Sequence, residues 1–212
     1  DARMKKILED AANIGNAIAR SILYSFRNKD AFFWEGTQWY TTFPGLHYKW
    51  YMDGKPDAGR YLDARTLFHF MATGNTPAMS MQFVGKGSQY VWTGKDNDGN
   101  ILRGENTYRL KVPANPPAKD FWSMVVYDGQ TRSMYQAPDQ KFPSVNNKRG
   151  NLKKNKDGTV DIYIGPKAPK GYEDNWIQTV PGKTWGTLFR LFGPLEPWFD
   201  RTWKLNNIEL VK

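Results

Sequence analysis

Carboxylates set beside tryptophans are the first residues of this chain whose types and spacing suit chemistry. Glu173 and Asp174 precede Trp176, while Glu196 and Asp200 flank Trp198. A ring on which a sugar can stack and two carboxylates roughly 5–10 Å apart are the working parts of a glycoside hydrolase. Carboxylates in loops rich in proline and glycine have a plainer use as acceptors that hold the loop's shape, and the sequence leaves both readings open. The cations of interest are Arg132, in Gln130-Thr131-Arg132-Ser133, and Arg190, in an otherwise apolar stretch. A charge stranded in an apolar strand is costly, so Arg190 must pair with a carboxylate or reach a mouth where it meets an anion. With Trp176 and Trp198, these arginines make up the candidate ligand-binding set.

Histidine chemistry is sparse. His69 sits in Leu67-Phe68-His69-Phe70 on a helical stretch and reads as a hydrogen-bonded packing residue before a catalytic one, and His47 lies among loop aromatics. Neither accompanies a serine elbow or a glycine-rich phosphate loop. Asp96-Asn97-Asp98-Gly99-Asn100 places oxygens at alternate positions, as a calcium loop begins. A full EF-hand loop needs a glutamate at its twelfth position, where this chain has Thr107, and the flanks read as strands. A hairpin turn is the expected reading, with a weak cation site at Asp96 and Asp98 as the alternative. No resident metal or cofactor is expected.

Bulk composition narrows the classes further. At 212 residues the chain can bury a sizeable core without staples, and its 15% aromatic content is far too high for disorder. The absence of cysteine excludes a disulfide framework, a thiolate zinc site and a thiol nucleophile. No apolar run approaches the ~20 residues that span a bilayer, so no membrane span is expected. Of the net charge of +9, +6 falls between residues 141 and 170, in Lys141, Lys148, Arg149, Lys153, Lys154, Lys156, Lys167 and Lys170 against Asp157 and Asp161. Asparagine and glycine, not aromatics, fill the gaps of the Lys148–Lys156 tract, so a solvated loop is expected before a nucleic-acid contact. The chain opens at Asp1 inside a helical pattern, which reads as a processed chain or part of a longer one, with any signal peptide out of view.

The elements that must position these residues change character along the chain. Met4, Leu8, Ala11, Ile14, Ile18 and Ile22 recur at intervals of three or four through residues 1–28, opposite Lys5, Lys6, Glu9, Asp10 and Asn13. That pattern predicts one amphipathic helix, in which Gly15 would allow a close helix contact. A second helix is expected over Leu62–Met71, with Gly74 as its stop and Thr76-Pro77 as a further start. Nine aromatics crowd residues 32–51 without a period, as core or as a surface for a partner or sugars. From about Gln89 onward, period-2 segments recur at 89–93, 107–112, 121–127, 160–164, 176–180, 185–192 and 202–211, the last with a break near Asn206-Asn207, and Asp-Gly turns at Asp53, Asp98, Asp128 and Asp157 punctuate the chain. Seven or eight strands without intervening helices predict an antiparallel β-sandwich.

Two of these strands are apolar on both faces. Phe121 to Tyr127 has no wet side, and in Trp185 to Phe192 the residues Trp185, Phe189 and Leu191 oppose Leu188, Arg190 and Phe192. One sandwich core covers one face only, so the other needs the N-terminal helices or a partner subunit over it.

Several long motifs fall in order along the chain. They are Gln38-Trp39-Tyr40, Leu62-Asp63-Ala64-Arg65-Thr66-Leu67-Phe68, Ala72-Thr73-Gly74 with Thr76-Pro77-Ala78-Met79, Gly87-Ser88-Gln89-Tyr90, the run Lys119 to Met134, and the tract Ile164 to Trp203 with four tryptophans. Over nearly its whole length the chain resembles the family called domain of unknown function 1214, which usually follows a separate domain numbered 1254. The resemblance implies an α+β chain, a helical connector over 1–80 and a jelly-roll β-sandwich over 81–212. It carries no catalytic residues across. It implies an exported, periplasmic or secreted protein that is oligomeric or docks on the missing N-terminal domain. Two functions follow: a non-catalytic binding or assembly module of an oligomer, and, as the alternative, a carbohydrate- or ester-directed hydrolase or lyase using Glu173, Asp174, Asp200 or His69.

Overall fold

The helical spacing of the first residues becomes α1, Ala2–Tyr24, in the computed structural model, which describes residues 1–72, 74–149 and 151–211. Thr73 of the Ala72-Thr73-Gly74 motif and Gly150 of the basic tract lie outside the described residues, as does the side chain of Asp53 in the Asp53-Gly54 pair. Asp1 caps α1, its carboxylate accepting the amide of Met4 at 2.8 Å. The helix ends where Ser25 leaves helical geometry. α2 spans Leu62–Ala72, and Thr76 with Pro77 opens the single turn α3, Pro77–Ser80, as fixed proline φ favours at a first helical position.

The chain divides into two compact units, Asp1–Ala31 with Thr42–Met81, and Phe32–Thr41 with Gln82–Lys212. In the first, α1 packs on α2 through its last turns only, burying Ala19, Ile22 and Leu23 against the side of α2 that buries Ala64, Leu67 and Phe68. Phe43 stacks on Trp50 at 5.6 Å between centroids, and both rings touch Phe68. Arg27 clamps Asp63 with two bonds of 2.9 and 2.8 Å.

The second unit is the sandwich. One sheet has the order β1-β7-β3-β4, from Ser88–Thr93, Trp185–Pro194, Ala118–Asp128 and Ser144–Asn146. The other has the order β6-β5-β2-β8, from Trp176–Gln178, Val160–Gly165, Tyr108–Val112 and Glu209–Leu210. All pairings are antiparallel except β5 with β6, which is parallel. Val91, Met124 and Phe189 from the first sheet share one core with Leu110, Ile162 and Ile177 from the second. Residues 202–208, expected as part of a strand, are irregular, yet Trp203, Leu205 and Ile208 bury into the same core.

The aromatic tract is divided between the two units. Phe33, Trp34 and Trp39 are buried in the sandwich unit and Phe43 and Trp50 in the helical one, so most of its rings are core. The segment 32–41 has no periodic pattern because long-range bonds hold it: the indole of Trp34 donates to the Trp203 carbonyl, that of Trp39 to the Asn206 carbonyl, and the Asn207 side chain accepts the Gln38 amide.

Candidate functional site

Two acids of the tryptophan-rich tract, Glu173 and Asp200, serve their own loops. Glu173 accepts the Gly171 amide at 2.9 Å, and Asp200 accepts the amide and hydroxyl of Thr202 at 2.9 and 2.7 Å. Those backbone bonds hold both carboxyls below their ordinary range. A general acid needs the opposite shift. Glu173, Asp174 and Asp200 are all exposed. Trp198 is fully buried among Phe33, Trp34 and Trp203 and presents no face to a ligand, which corrects its reading as a stacking platform. It stands on the one-turn helix α4, Glu196–Phe199, whose proline start turns the indole into the core. Trp176 is half-buried and ties β6 to β5, its indole donating to the Gly165 carbonyl at 2.9 Å.

Asp96 is 3% exposed, and one of its carboxylate oxygens accepts the amides of Asp98 and Asn100 at 3.0 and 2.8 Å. That is the inside of a hairpin whose flanks pair at Lys95 and Ile101, with Gly99 in the left-handed region. No group of three His, Cys, Asp or Glu converges among the described residues. In the basic tract, rings absent from the local sequence arrive from elsewhere: Lys148 lies over Phe121, Arg149 over Phe142, and Lys153 over Tyr172.

Arg190 takes neither course expected of it. It lies exposed on the outer face of the first sheet, its guanidinium 4.1 Å over the Phe192 ring and bonded to the Ser88 hydroxyl at 2.9 Å. Register puts Tyr90 directly across from it on β1. Burial pushes the Tyr90 and Tyr127 hydroxyls up, opposed by the field of Arg190. Phe121 and Phe192 stack at 4.0 Å on this face, and Leu188 and Val125 are half-buried beside them. The doubly apolar strands therefore cover part of their outer face with their own rings. Arg132 sits in a turn with φ of 62° and donates to the Gln130 carbonyl.

The helical unit holds two further features, a stripe read from the sequence and a cleft that was not. Met4, Ile7, Leu8, Ile14 and Ile18 of α1 are 47–62% exposed, a continuous apolar stripe along some four turns. Beside it, an open cleft of about 730 Å³ separates α1 from α2. Gly15, Asn16 and Ala19 form one wall, and Arg65, Thr66 and His69 form the other. Trp50 and Phe68 make the floor. A Cβ at Gly15 would meet nothing within 4 Å, so this glycine borders open space and makes no close helix contact. His69 is exposed on the cleft wall. Arg65 and His69 are one helical turn apart, a spacing that puts both on one face and was legible in the sequence. The α1 wall was not.

A family model described as "Protein of unknown function (DUF1214)" matches residues 87–196. No curated protein matches the chain. Among solved structures, the VPA0106 protein of Vibrio parahaemolyticus is similar at 21% identity and a TM-score of 0.54, over 79% of this chain and 40% of that one. An uncharacterised protein from Burkholderia cenocepacia is similar at 15% identity and a TM-score of 0.39, over 74% of this chain and 45% of that one. The chain thus spans less than half the length of either structure. The Vibrio likeness is one of fold.

Proposed function

The chain belongs to the family of proteins of unknown function DUF1214, and on that premise we propose that it is a non-catalytic assembly module in which α1 pairs with α1 of a second copy. The observation that carries this reading is the stripe of five large apolar side chains on α1, 47–62% exposed. Burying one such side chain is worth about 1.5–3 kcal/mol, so a stripe of this size favours a partner.

The sequence of α1 suits an antiparallel pairing centred on Ala11. Met4 of one copy then faces Ile18 of the other, and Leu8 faces Ile14. In that register Arg3, Lys5, Lys6, Glu9, Asp10 and Arg20 each fall opposite an uncharged residue. A parallel, in-register pair would set every one of these charges against its own copy, which is destabilising. The polar side carries both signs, with Lys5–Glu9 and Lys6–Asp10 pairs, which suits a protein partner better than an anionic surface. No helix among the described residues is long and apolar enough to cross a membrane.

Sedimentation across the micromolar to millimolar range tests the proposal. The expected result is reversible dimerisation that the double variant Leu8→Lys, Ile14→Lys abolishes while circular dichroism shows the fold intact. A monomer throughout, or a dimer indifferent to that variant, overturns it.

A further inference from the structure

We propose that the cleft between α1 and α2 is a binding site for a small amphipathic carboxylate, an acid with an apolar ring or short acyl body. Its volume of about 730 Å³ lies within the range of small-ligand sites. The floor is apolar and aromatic: Trp50 and Phe68, 7% and 4% exposed, pack on each other at 5.1 Å between centroids and offer their ring edges to the cleft.

The polar groups of the lining are Asn16, Arg65, Thr66, His69 and Asn75, of which Arg65 carries a fixed positive charge. Arg65 and His69 project from successive turns of α2, while the Asn16 carboxamide accepts from Arg20 and that of Asn75 donates to the Tyr48 carbonyl. The one carboxylate in the first turn of α2, Asp63, is held through both its oxygens by Nε and Nη2 of Arg27, so it is not available to Arg65. Among the described residues Arg65 enters no ion pair. Among the described residues no acid lines the cleft. An apolar floor beneath a fork-shaped cation selects a ligand with a carboxylate at one end, since guanidinium and carboxylate match in bidentate geometry.

Calorimetric titration of the full chain with 2-naphthoate, with 2-naphthamide as its neutral isostere and with inorganic phosphate, tests the assignment. The expected result is one naphthoate per chain, bound about tenfold more tightly than the amide, with phosphate weaker than either. Arg65→Gln, a substitution at an exposed position, should erase the difference between the acid and the amide. Gly15→Leu should fill the cleft and remove binding of both naphthalenes. Equal affinity for acid and amide, tightest binding of phosphate, no binding of any probe, or a preference that survives Arg65→Gln overturns the proposal.

Discussion

The indole of Trp92 lies across Gly186 of the neighbouring strand, so that a Cβ at residue 186 would stand 2.2 Å from Cζ2 of the ring. Gly186 pairs with Tyr127 on its other side, and the Trp92 and Tyr127 rings approach to 6.0 Å. The glycine thus lets two rings close over a strand that is apolar on both faces, which is how this end of the outer face is covered.

Gly186→Ala should therefore destabilise the protein by about 1–3 kcal/mol through overpacking, read as a lower urea midpoint. Gly15→Ala makes the opposite change. Residue 15 lies in a helix interior with nothing within 4 Å of the new methyl, and alanine there should stabilise by about 0.5–1 kcal/mol. A midpoint unchanged or raised by Gly186→Ala would mean that the packing described at Trp92 is wrong, and one lowered by Gly15→Ala that residue 15 does not border open space.

Tyr135 is a second anchor. It is 1% exposed, and its hydroxyl accepts the Val180 amide at 2.9 Å and donates to the Val180 carbonyl at 3.2 Å. Tyr135→Phe leaves the Val180 amide without its acceptor, while the carbonyl keeps the Lys183 amide at 3.3 Å, and should cost about 1–3 kcal/mol. Hydrogen exchange at Val180 should quicken in the variant, and unchanged exchange there would contradict the contact.

The hairpin at Asp96 distinguishes a turn from a cation site. Asp96→Ala removes the acceptor of two amides and should cost about 1–2 kcal/mol, while Asp98→Ala should be nearly neutral. Calcium should leave the melting temperature unchanged in all three proteins. A calcium-dependent rise lost in both variants would restore the metal reading.

What the sequence showed and what it hid follow from the range of the forces involved. α1, α2 and the long strands were legible because their apolar residues repeat locally. The strand Ser144–Asn146 is three residues long, too short for a period, and exists by pairing with Ser123–Val125. Segment 32–41 is held by bonds to residues more than 160 positions away, which no local window contains. Neighbours in sequence misled at Trp198: the acids beside it suggested an exposed platform, but the turn of α4 points the ring inward. Arg190 was correctly placed on a face with Leu188 and Phe192, yet its resolution by stacking on Phe192 depends on side-chain geometry alone. Of the cleft, only the Arg65–His69 spacing was readable, since its other wall depends on how α1 meets α2.

Asp128 ties the turn after β3 to Lys183, and its carboxylate gives the fold a defined acid sensitivity. Burial pushes this carboxyl up, but the amides of Thr131 and Gln130, at 3.0 and 2.7 Å, and the Lys183 ammonium at 3.3 Å outweigh it and hold the group below its ordinary value of 3.8. A carboxyl depressed in the folded state stabilises fully above the unfolded value and loses that contribution as pH falls through the folded one. Asp128→Asn should thus lower stability by about 1–2 kcal/mol near neutral pH, and the gap to the native protein should close progressively below pH 3.8. Urea midpoints of the two proteins across that range check the sign. A gap that stays constant into acid would mean that shape, and not the charge of Asp128, holds the turn.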